Sequence, residues 1–107
     1  MPNVPTTDLV LARFRQALDD VYGSRPERVV LFGSHARGDA RPDSDYDIAV
    51  FLSRPDSFGH EAARLAAIET DILYDTGVII NTLPFPAGAD HERTGLMSEL
   101  RRDGVDL

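Results

Sequence analysis

Asp45 and Asp47 are two carboxylates, spaced two residues apart, at the start of an apolar segment. Carboxylates are side chains that bind divalent cations in proteins. On a β-strand, side chains at this spacing share one face, with Cα atoms about 7 Å apart. Their oxygens can then converge on Mg²⁺, which usually completes its shell with water and substrate phosphates. Two such ions would hold the attacking and leaving oxygens of an in-line displacement. The alternative is that both aspartates are solvated at the start of an exposed strand.

A glycine–serine pair, Gly33-Ser34, follows the apolar run 29–32 and is a candidate phosphate-binding turn. A helical turn beginning here presents free backbone N–H groups to an anion, and glycine allows the anion to approach closely. Ser34 adds a hydroxyl donor, and Arg37 lies on the same face, where its guanidinium can bind phosphate oxygens. The pair is not a P-loop, because the Gly-Lys-Ser/Thr ending is missing. Alone, it is equally compatible with a plain strand-to-helix turn and a solvated Arg37.

Other polar and aromatic side chains are weaker candidates. The three histidines, His35, His60 and His91, are widely spaced and do not form a metal-binding set. His35 lies inside the glycine–serine segment, where a contact with a phosphate or a base is one interpretation and a structural role is the other. Tyr46 would point to the opposite strand face from the aspartates, so we expect it to be a packing residue.

Three helices are predicted from apolar residues at helical spacing. The first begins after a cap in Pro5-Thr6-Thr7-Asp8 and ends at Gly23. The second begins near a cap at Asp56 or Ser57 and ends at Gly77. The third spans about 91–102 after a cap at Asp90. The apolar faces are assigned to Leu11, Phe14, Leu18 and Val21 in the first helix, to Phe58, Ala62, Leu65, Ile68, Ile72 and Leu73 in the second, and to Leu96 and Leu100 in the third. Glu61 is expected to face solvent.

Three strands are predicted between these helices, at 29–32, 45–52 and 78–83. Residues 24–27 are expected to form a turn, and Pro84 and Pro86 to stop the third strand. A short helical turn is expected at 35–38. The first two strands are too close in sequence for a helical crossover, so an antiparallel pair is expected. After Gly104, residues 105–107 are expected to be a short tail.

The predicted order is helix, strand, short helix, strand, helix, strand, helix. This order indicates a small mixed β-sheet flanked by helices, an α/β (α+β) fold. The chain has 107 residues, so a single domain over residues 1–107 is expected, with no room for a separate substrate domain.

Composition narrows the classes of function. Hydrophobic residues make up 42% and charged residues 27%, which predicts a compact core. The net charge is −7, so binding to a nucleic-acid backbone is not expected. No cysteine is present, which excludes disulfides and thiolate zinc sites and fits a reducing compartment. We find no signal peptide or membrane-spanning pattern and expect a cytoplasmic protein.

Together, the two motifs are more specific than either alone. Gly33-Ser34, a ten-residue gap and then Asp45-Tyr46-Asp47 between apolar runs resemble the signature of the DNA polymerase beta-like nucleotidyltransferase superfamily. The fuller sequence from Gly33 to Gly38, Gly-Ser-His-Ala-Arg-Gly, is similar to that of its small prokaryotic members, the minimal nucleotidyltransferases. The resemblance covers residues 32–50.

This resemblance implies a function and partners. Gly33 and Ser34 would hold the triphosphate, and Asp45 and Asp47 would bind two Mg²⁺ ions and carry catalysis. The reaction would transfer a nucleotidyl group, AMP where ATP is the substrate, to an acceptor hydroxyl and release pyrophosphate. Minimal members are commonly encoded beside a helical HEPN partner. In some toxin–antitoxin pairs of this kind the nucleotidyltransferase neutralises the toxin by adding AMP to a tyrosine.

One position departs from the family pattern. The family places a third carboxylate on a following strand, where this chain has Asn81. An amide oxygen can ligate a metal, but it cannot take a proton as a carboxylate does. The neutral residue also weakens a cation site by one charge. Asn81 is therefore the predicted third-ligand position, with binding better supported than catalysis.

Three functional hypotheses remain open from the sequence. The first is a nucleotidyltransferase that modifies a partner protein, as an antitoxin of a HEPN pair. The second is a catalytically weakened antitoxin or complex subunit that acts by binding alone. The third is a small-molecule transferase resembling the antibiotic-modifying members, which the short chain disfavours. The acceptor, the preferred base and whether the chain forms a homo- or hetero-oligomer are not determined by the sequence.

Overall fold

The computed structural model describes residues 8–24 and 26–107. The predicted cap residues Pro5, Thr6 and Thr7, and Arg25 of the predicted 24–27 turn, lie outside this part. Among the described residues, no helix combines the length and the apolar character needed to cross a membrane.

In the described part of the chain, four α-helices and one short 3₁₀ helix surround the sheet. They are α1 (Leu9–Tyr22), α2 (Ser34–Arg37), α3 (Phe58–Thr76) and α4 (Gly95–Asp103), with the 3₁₀ turn at Ala89–His91. The predicted caps of the first two long helices are confirmed, because Asp8 accepts from the Leu11 N–H and Ser57 from the His60 N–H. Gly77 ends α3 in the left-handed conformation that favours glycine.

Within residues 8–24 and 26–107, four strands form one mixed sheet in the order β3-β2-β1-β4. They are β1 (Pro26–Phe32), β2 (Tyr46–Leu52), β3 (Ile80–Pro86) and β4 (Val105–Asp106). The predicted antiparallel pairing of β1 with β2 is confirmed, and β3 runs parallel to β2. The mixed topology therefore brings the C-terminal end of β1 to the N-terminal ends of β2 and β3.

Both faces of the sheet are covered by apolar side chains. One face packs against α1 and α3 and contains Leu11, Phe14, Leu18, Tyr22, Leu65, Ile68 and Ile72 from the helices, with Val29, Leu31, Ile48, Val50, Leu52 and Ile80 from the strands. The other packs against α4 through Met97 and Leu100, with Val30, Ala49 and Phe51 from the strands. The last five residues of β2 are all buried, as expected for a central strand covered on both sides.

The strands extend further than the sequence pattern indicates. β1 begins at Pro26, so the predicted turn at 24–27 is wrong at its second half. The expected tail after Gly104 forms β4, which pairs with β1 through Val105 and Asp106.

β3 continues through Pro84 and Pro86, which were expected to stop it. It is an edge strand, and the Thr82 N–H donates to Glu69 Oε2 of α3 at 3.1 Å rather than to β2. The nitrogens of Pro84 and Pro86 lie on the same outward side as that of Thr82, because N–H directions alternate along a strand. Their lack of an N–H therefore removes no bond to β2.

Several helix predictions also need correction. α4 begins after a cap at Thr94 rather than at Asp90, which lies in the 3₁₀ turn. In α1, Val21 is half-exposed and Tyr22 is the core residue. In α3, Phe58 and Leu73 are exposed, whereas Glu61 is buried.

Glu61 is buried because it accepts hydrogen bonds from several parts of the fold. Its carboxylate accepts from the Tyr22 hydroxyl at 3.1 Å, the Asp56 N–H at 2.8 Å and the Arg64 guanidinium at 2.8 Å. These bonds connect the end of α1 to the beginning of α3. They also offset the free-energy penalty of burying a carboxylate.

We expect Glu61→Ala to lower the free energy of unfolding by roughly 3 kcal/mol, because three donors lose this acceptor in a buried setting. Urea unfolding measures the change. The control is Glu27→Ala, which removes an exposed glutamate and should change stability by less than about 0.5 kcal/mol. Equal effects of the two substitutions would contradict the structural role of Glu61.

Candidate active site

Three polar side chains, Asp45, Asp47 and Asn81, converge at the edge where β2 and β3 begin. Asp47 lies directly opposite Asn81 in the parallel register. The Asn81 Nδ2 donates to Asp45 Oδ2 at 3.2 Å and to Asp47 Oδ1 at 3.4 Å. One amide nitrogen thus reaches both carboxylates, which places their oxygens around a common point. β2 begins at Tyr46, one residue later than predicted, so Asp45 immediately precedes the strand.

Gly33 brings the chain into contact with Asp47. Phe32 is opposite Asp47 in the β1–β2 register, so the next residue, Gly33, leaves β1 beside the carboxylate. A Cβ on Gly33 would lie 2.5 Å from Asp47 Oδ2, and its backbone has φ +76° and ψ −157°. Both the close approach and this conformation require glycine.

The short helix α2 follows Gly33 and contains the other predicted phosphate-binding residues. Its N-terminal residue is Ser34, and the preceding glycine has no side chain to cap the first N–H groups. Arg37 ends the helix and forms ion pairs with Asp39 at 3.3 Å and Glu99 of α4 at 3.6 Å. Its side chain is 41% exposed. Arg37 therefore lies at the site but pairs with carboxylates of this chain.

His35 lies on α2, between the predicted phosphate-binding turn and the segment that carries the aspartates. Its ring stacks on Tyr46, with centroids 3.7 Å apart and planes 9° from parallel. Its Nε2 is 2.9 Å from the carbonyl oxygen of Ser44. Tyr46 also donates from its hydroxyl to Asp8 Oδ2 at 3.2 Å, as expected for a packing residue on the opposite face from the aspartates.

The environment disfavours the charged form of Asp47. Partial burial raises the pKa of this carboxyl above its usual value, and the charges of Asp45 and Glu99 raise it further. The hydrogen bond from Asn81 and the proximity of His35 act in the opposite direction and only partly compensate. Two carboxylates near each other at an apolar edge favour a bound cation.

The donor set fits a hard divalent cation. The two carboxylates supply the oxygen ligands that Mg²⁺ prefers, and Asn81 can present its Oδ1 by rotating the amide. Within the described part of the chain, no group of three or more His, Asp or Glu side chains is arranged to hold a metal ion. The site thus depends on two carboxylates and one amide.

Comparisons with known proteins agree with this geometry. The family described as "Nucleotidyltransferase domain" matches residues 11–101. The chain belongs to this nucleotidyltransferase family. It is therefore a nucleotidyltransferase enzyme, and the predicted fold is confirmed by its structural neighbours.

The relatives include both archaeal enzymes and toxin–antitoxin proteins. MJ0141 of Methanocaldococcus jannaschii, named as a candidate protein adenylyltransferase, is 21% identical over 92% of this chain and 95% of its own. A crystallised toxin–antitoxin protein with AMP-PNP has 19% identity and a TM-score of 0.64, over 89% of this chain and 69% of its own. A candidate nucleotidyltransferase of Sulfolobus solfataricus has 20% identity and a TM-score of 0.61, over 91% and 78%. At these identities the solved structures show the fold alone.

Glu99 is a residue that the fold brings to the site and that the sequence does not indicate. Glu99 of α4 pairs with Arg37 and raises the pKa of Asp47, although nothing in its sequence context distinguishes it from a solvated helix residue. For His35 the sequence leaves open a contact with a phosphate or base and a structural role, and the structure shows its ring stacking on Tyr46. The signal for His35 was its place in the motif, but its partners are set by the tertiary structure.

We expect Gly33→Ala to lower the free energy of unfolding by about 2 kcal/mol or more and to weaken Mn²⁺ binding, because the new Cβ displaces Asp47. Gly38→Ala is the matched control, since Gly38 also has a positive φ of +84° but open space around a Cβ. It should cost about 1 kcal/mol and leave Mn²⁺ binding unchanged. Urea unfolding and Mn²⁺ titration measure both effects. Equal Mn²⁺ affinities in the two variants would contradict the role of Gly33.

We expect Asp47→Asn to raise the free energy of unfolding of the metal-free protein at pH 7. The pKa of Asp47 is higher in the folded protein, so this group stabilises the fold below its unfolded pKa and that contribution is lost as pH rises through the folded pKa. The gain should shrink near about pH 3, where the carboxyl is protonated in both states. Urea unfolding in EDTA at both pH values measures it.

The control for this substitution is Asp43→Asn, which removes an exposed aspartate from the adjoining turn and changes the net charge by the same amount. A gain at pH 7 no larger than that of Asp43→Asn would show that only the net charge matters.

Proposed function

We propose that this protein transfers AMP from ATP to a hydroxyl of a partner protein in a Mg²⁺-dependent reaction. The observation that carries the proposal is the convergence of Asp45 and Asp47 on one point beside Gly33. Two carboxylates beside a turn with free backbone N–H groups support a joint site for cations and phosphates. The bound cations would stabilise the charge that develops on the transferred phosphoryl group.

Each residue of the site has a proposed role. Asp45 and Asp47 hold the cations, with two ions expected, and Asn81 completes the set through its amide oxygen. Gly33 and Ser34 hold the triphosphate, because the glycine leaves space and the serine donates from its hydroxyl and N–H. Arg37 binds phosphate oxygens after leaving Asp39 and Glu99. These exposed ion pairs contribute little free energy, about 0.2–1 kcal/mol each, so a triphosphate can replace them.

The choice of AMP and of a protein acceptor is supported by the relatives. The archaeal relative is named for protein adenylyltransfer, and the toxin–antitoxin structure contains AMP-PNP. Leu83 is 39% exposed and shares a face of β3 with Asn81, and Ile79, which immediately precedes the strand, is 47% exposed. They provide apolar surface beside the carboxylates, which suits a protein acceptor. We propose a helical HEPN-class toxin as the partner, which makes this chain its antitoxin.

A second candidate function is favoured by Asn81. Asn81 has an amide where the family has a carboxylate, and an amide does not accept a proton from the acceptor hydroxyl. This substitution slows catalysis without preventing binding. In this hypothesis the protein neutralises its partner by binding alone. The two candidates differ in whether neutralisation needs Asp45 and Asp47.

The test is transfer of label from α-³²P-ATP, with Mg²⁺, to the protein encoded by the neighbouring gene. We expect label on that partner, and a loss of about 100-fold or more in Asp45→Asn/Asp47→Asn, because the cation ligands are removed. Asp43→Asn is the control and should retain transfer. Asn81→Asp should increase transfer, since it supplies a proton acceptor at this position.

The outcomes separate the two candidates. No label from any nucleoside triphosphate, together with full neutralisation by both the wild type and the double variant, would establish binding alone. No label and no neutralisation by a folded protein would contradict both.

A further inference from the structure

His35 makes two contacts that bracket Asp45 in the sequence. Its Nε2 is 2.9 Å from the Ser44 carbonyl oxygen, and its ring stacks at 3.7 Å on Tyr46. Because a carbonyl only accepts, the bond requires the tautomer or charge state with a proton on Nε2. The residues immediately before and after Asp45 are thereby held by one side chain.

Asp45 needs such support because, although its side chain accepts from Asn81, it lies outside the strand pairing of the described residues. It precedes β2, so the strand pairing begins only at the next residue, where the Tyr46 N–H donates to the Ile79 carbonyl at 3.0 Å. The turn before it closes on itself, with the Ser44 N–H donating to the Arg41 carbonyl at 3.0 Å and the Arg41 N–H to Ser44 Oγ at 2.8 Å. Those bonds shape the turn but do not attach it to the sheet.

His35 also connects the segment that carries Asp45 to α2. It follows Ser34 on α2, and α2 begins at the glycine that touches Asp47. The same helix that is expected to hold phosphates therefore also holds the segment that carries Asp45. No substrate contact is needed for this effect, since the ring is already engaged by Tyr46 and Ser44.

We propose that His35 is a positioning residue that orients Asp45 toward Asp47 by attaching the Ser44–Tyr46 segment to α2. It binds neither the cation nor the nucleotide. The proposal deepens the proposed function, because the cation site it supports is the one assigned above.

Two substitutions separate the two contacts. His35→Phe keeps a flat ring for Tyr46 but removes the donor to Ser44, whereas His35→Gln loses the ring but keeps an N–H at a similar reach. We expect His35→Phe to weaken Mn²⁺ binding about tenfold, as supporting hydrogen bonds around metal ligands do, and His35→Gln to recover most of the affinity. His91→Phe is the control, because the His91 side chain is 85% exposed and belongs to the 3₁₀ turn at Ala89–His91.

The measurements are Mn²⁺ titration without nucleotide and amide hydrogen exchange. In His35→Phe we expect faster exchange at the Tyr46 N–H, which joins the segment to the Ile79 carbonyl, and unchanged exchange at buried Val50 of β2. A general loss of folding would speed the exchange of both amides. Wild-type Mn²⁺ affinity in His35→Phe, equal weakening in His35→Phe and His35→Gln, or unchanged exchange at Tyr46 would each overturn the proposal.

These readouts do not depend on nucleotidyl transfer. If no label reaches any acceptor but Mn²⁺ binding and Tyr46 exchange change as expected, the proposed function fails and the role of His35 stands. If the wild type binds no Mn²⁺, the cation site fails, and the exchange of the Tyr46 N–H alone decides whether His35 holds the segment.

Discussion

Two like charges held at one point are the constraint on which the site depends. Asp45 and Asp47 both lie within hydrogen-bond reach of the Asn81 amide nitrogen, so their carboxylates are close together and repel each other. Such repulsion is tolerated only where the backbone is fixed and a positive partner is present. In the protein alone, the partial positive charge of an amide N–H meets this need. A divalent cation would meet it more fully, which is why we propose a cation site at this edge.

The sheet explains how the backbone is fixed. Five consecutive residues at the C-terminal side of β2 are buried between helices on both faces, whereas its first two residues are only partly covered. The carboxylates thus lie where a rigid apolar strand emerges toward water. Antiparallel β1 delivers Gly33 to this edge, and parallel β3 delivers Asn81. An all-antiparallel order β1-β2-β3 would place the start of β3 at the opposite end of the sheet, and Asn81 could not reach Asp47.

The sequence predicted the parts of the site that local pattern controls. The spacing of Gly33, Ser34, Asp45 and Asp47 indicated the turn and strand that bring them together. Asn81 was identified as the third-ligand position only through the resemblance to the family. The sequence could not predict features set by distant neighbours. β3 continues through two prolines because it is an edge strand. Glu61 is buried, although the helical pattern predicts it on the solvent face, because it accepts hydrogen bonds from α1 and from residues 56 and 64. The stack of His35 on Tyr46 likewise exists only after β2 and α2 are in place.

The charge balance of the site has a consequence for the order of binding. The protein carries a net charge of −7, and Asp45 and Glu99 lie near enough to Asp47 for their charges to raise its pKa. In the proposed function, a triphosphate that approaches this edge alone meets repulsion, and Arg37 is already paired with Asp39 and Glu99. A divalent cation on the two aspartates neutralises their charge, and the triphosphate can then compete for Arg37. The proposed binding of the cation and of the nucleotide would therefore be positively coupled, and by linkage each would raise the affinity for the other by the same factor.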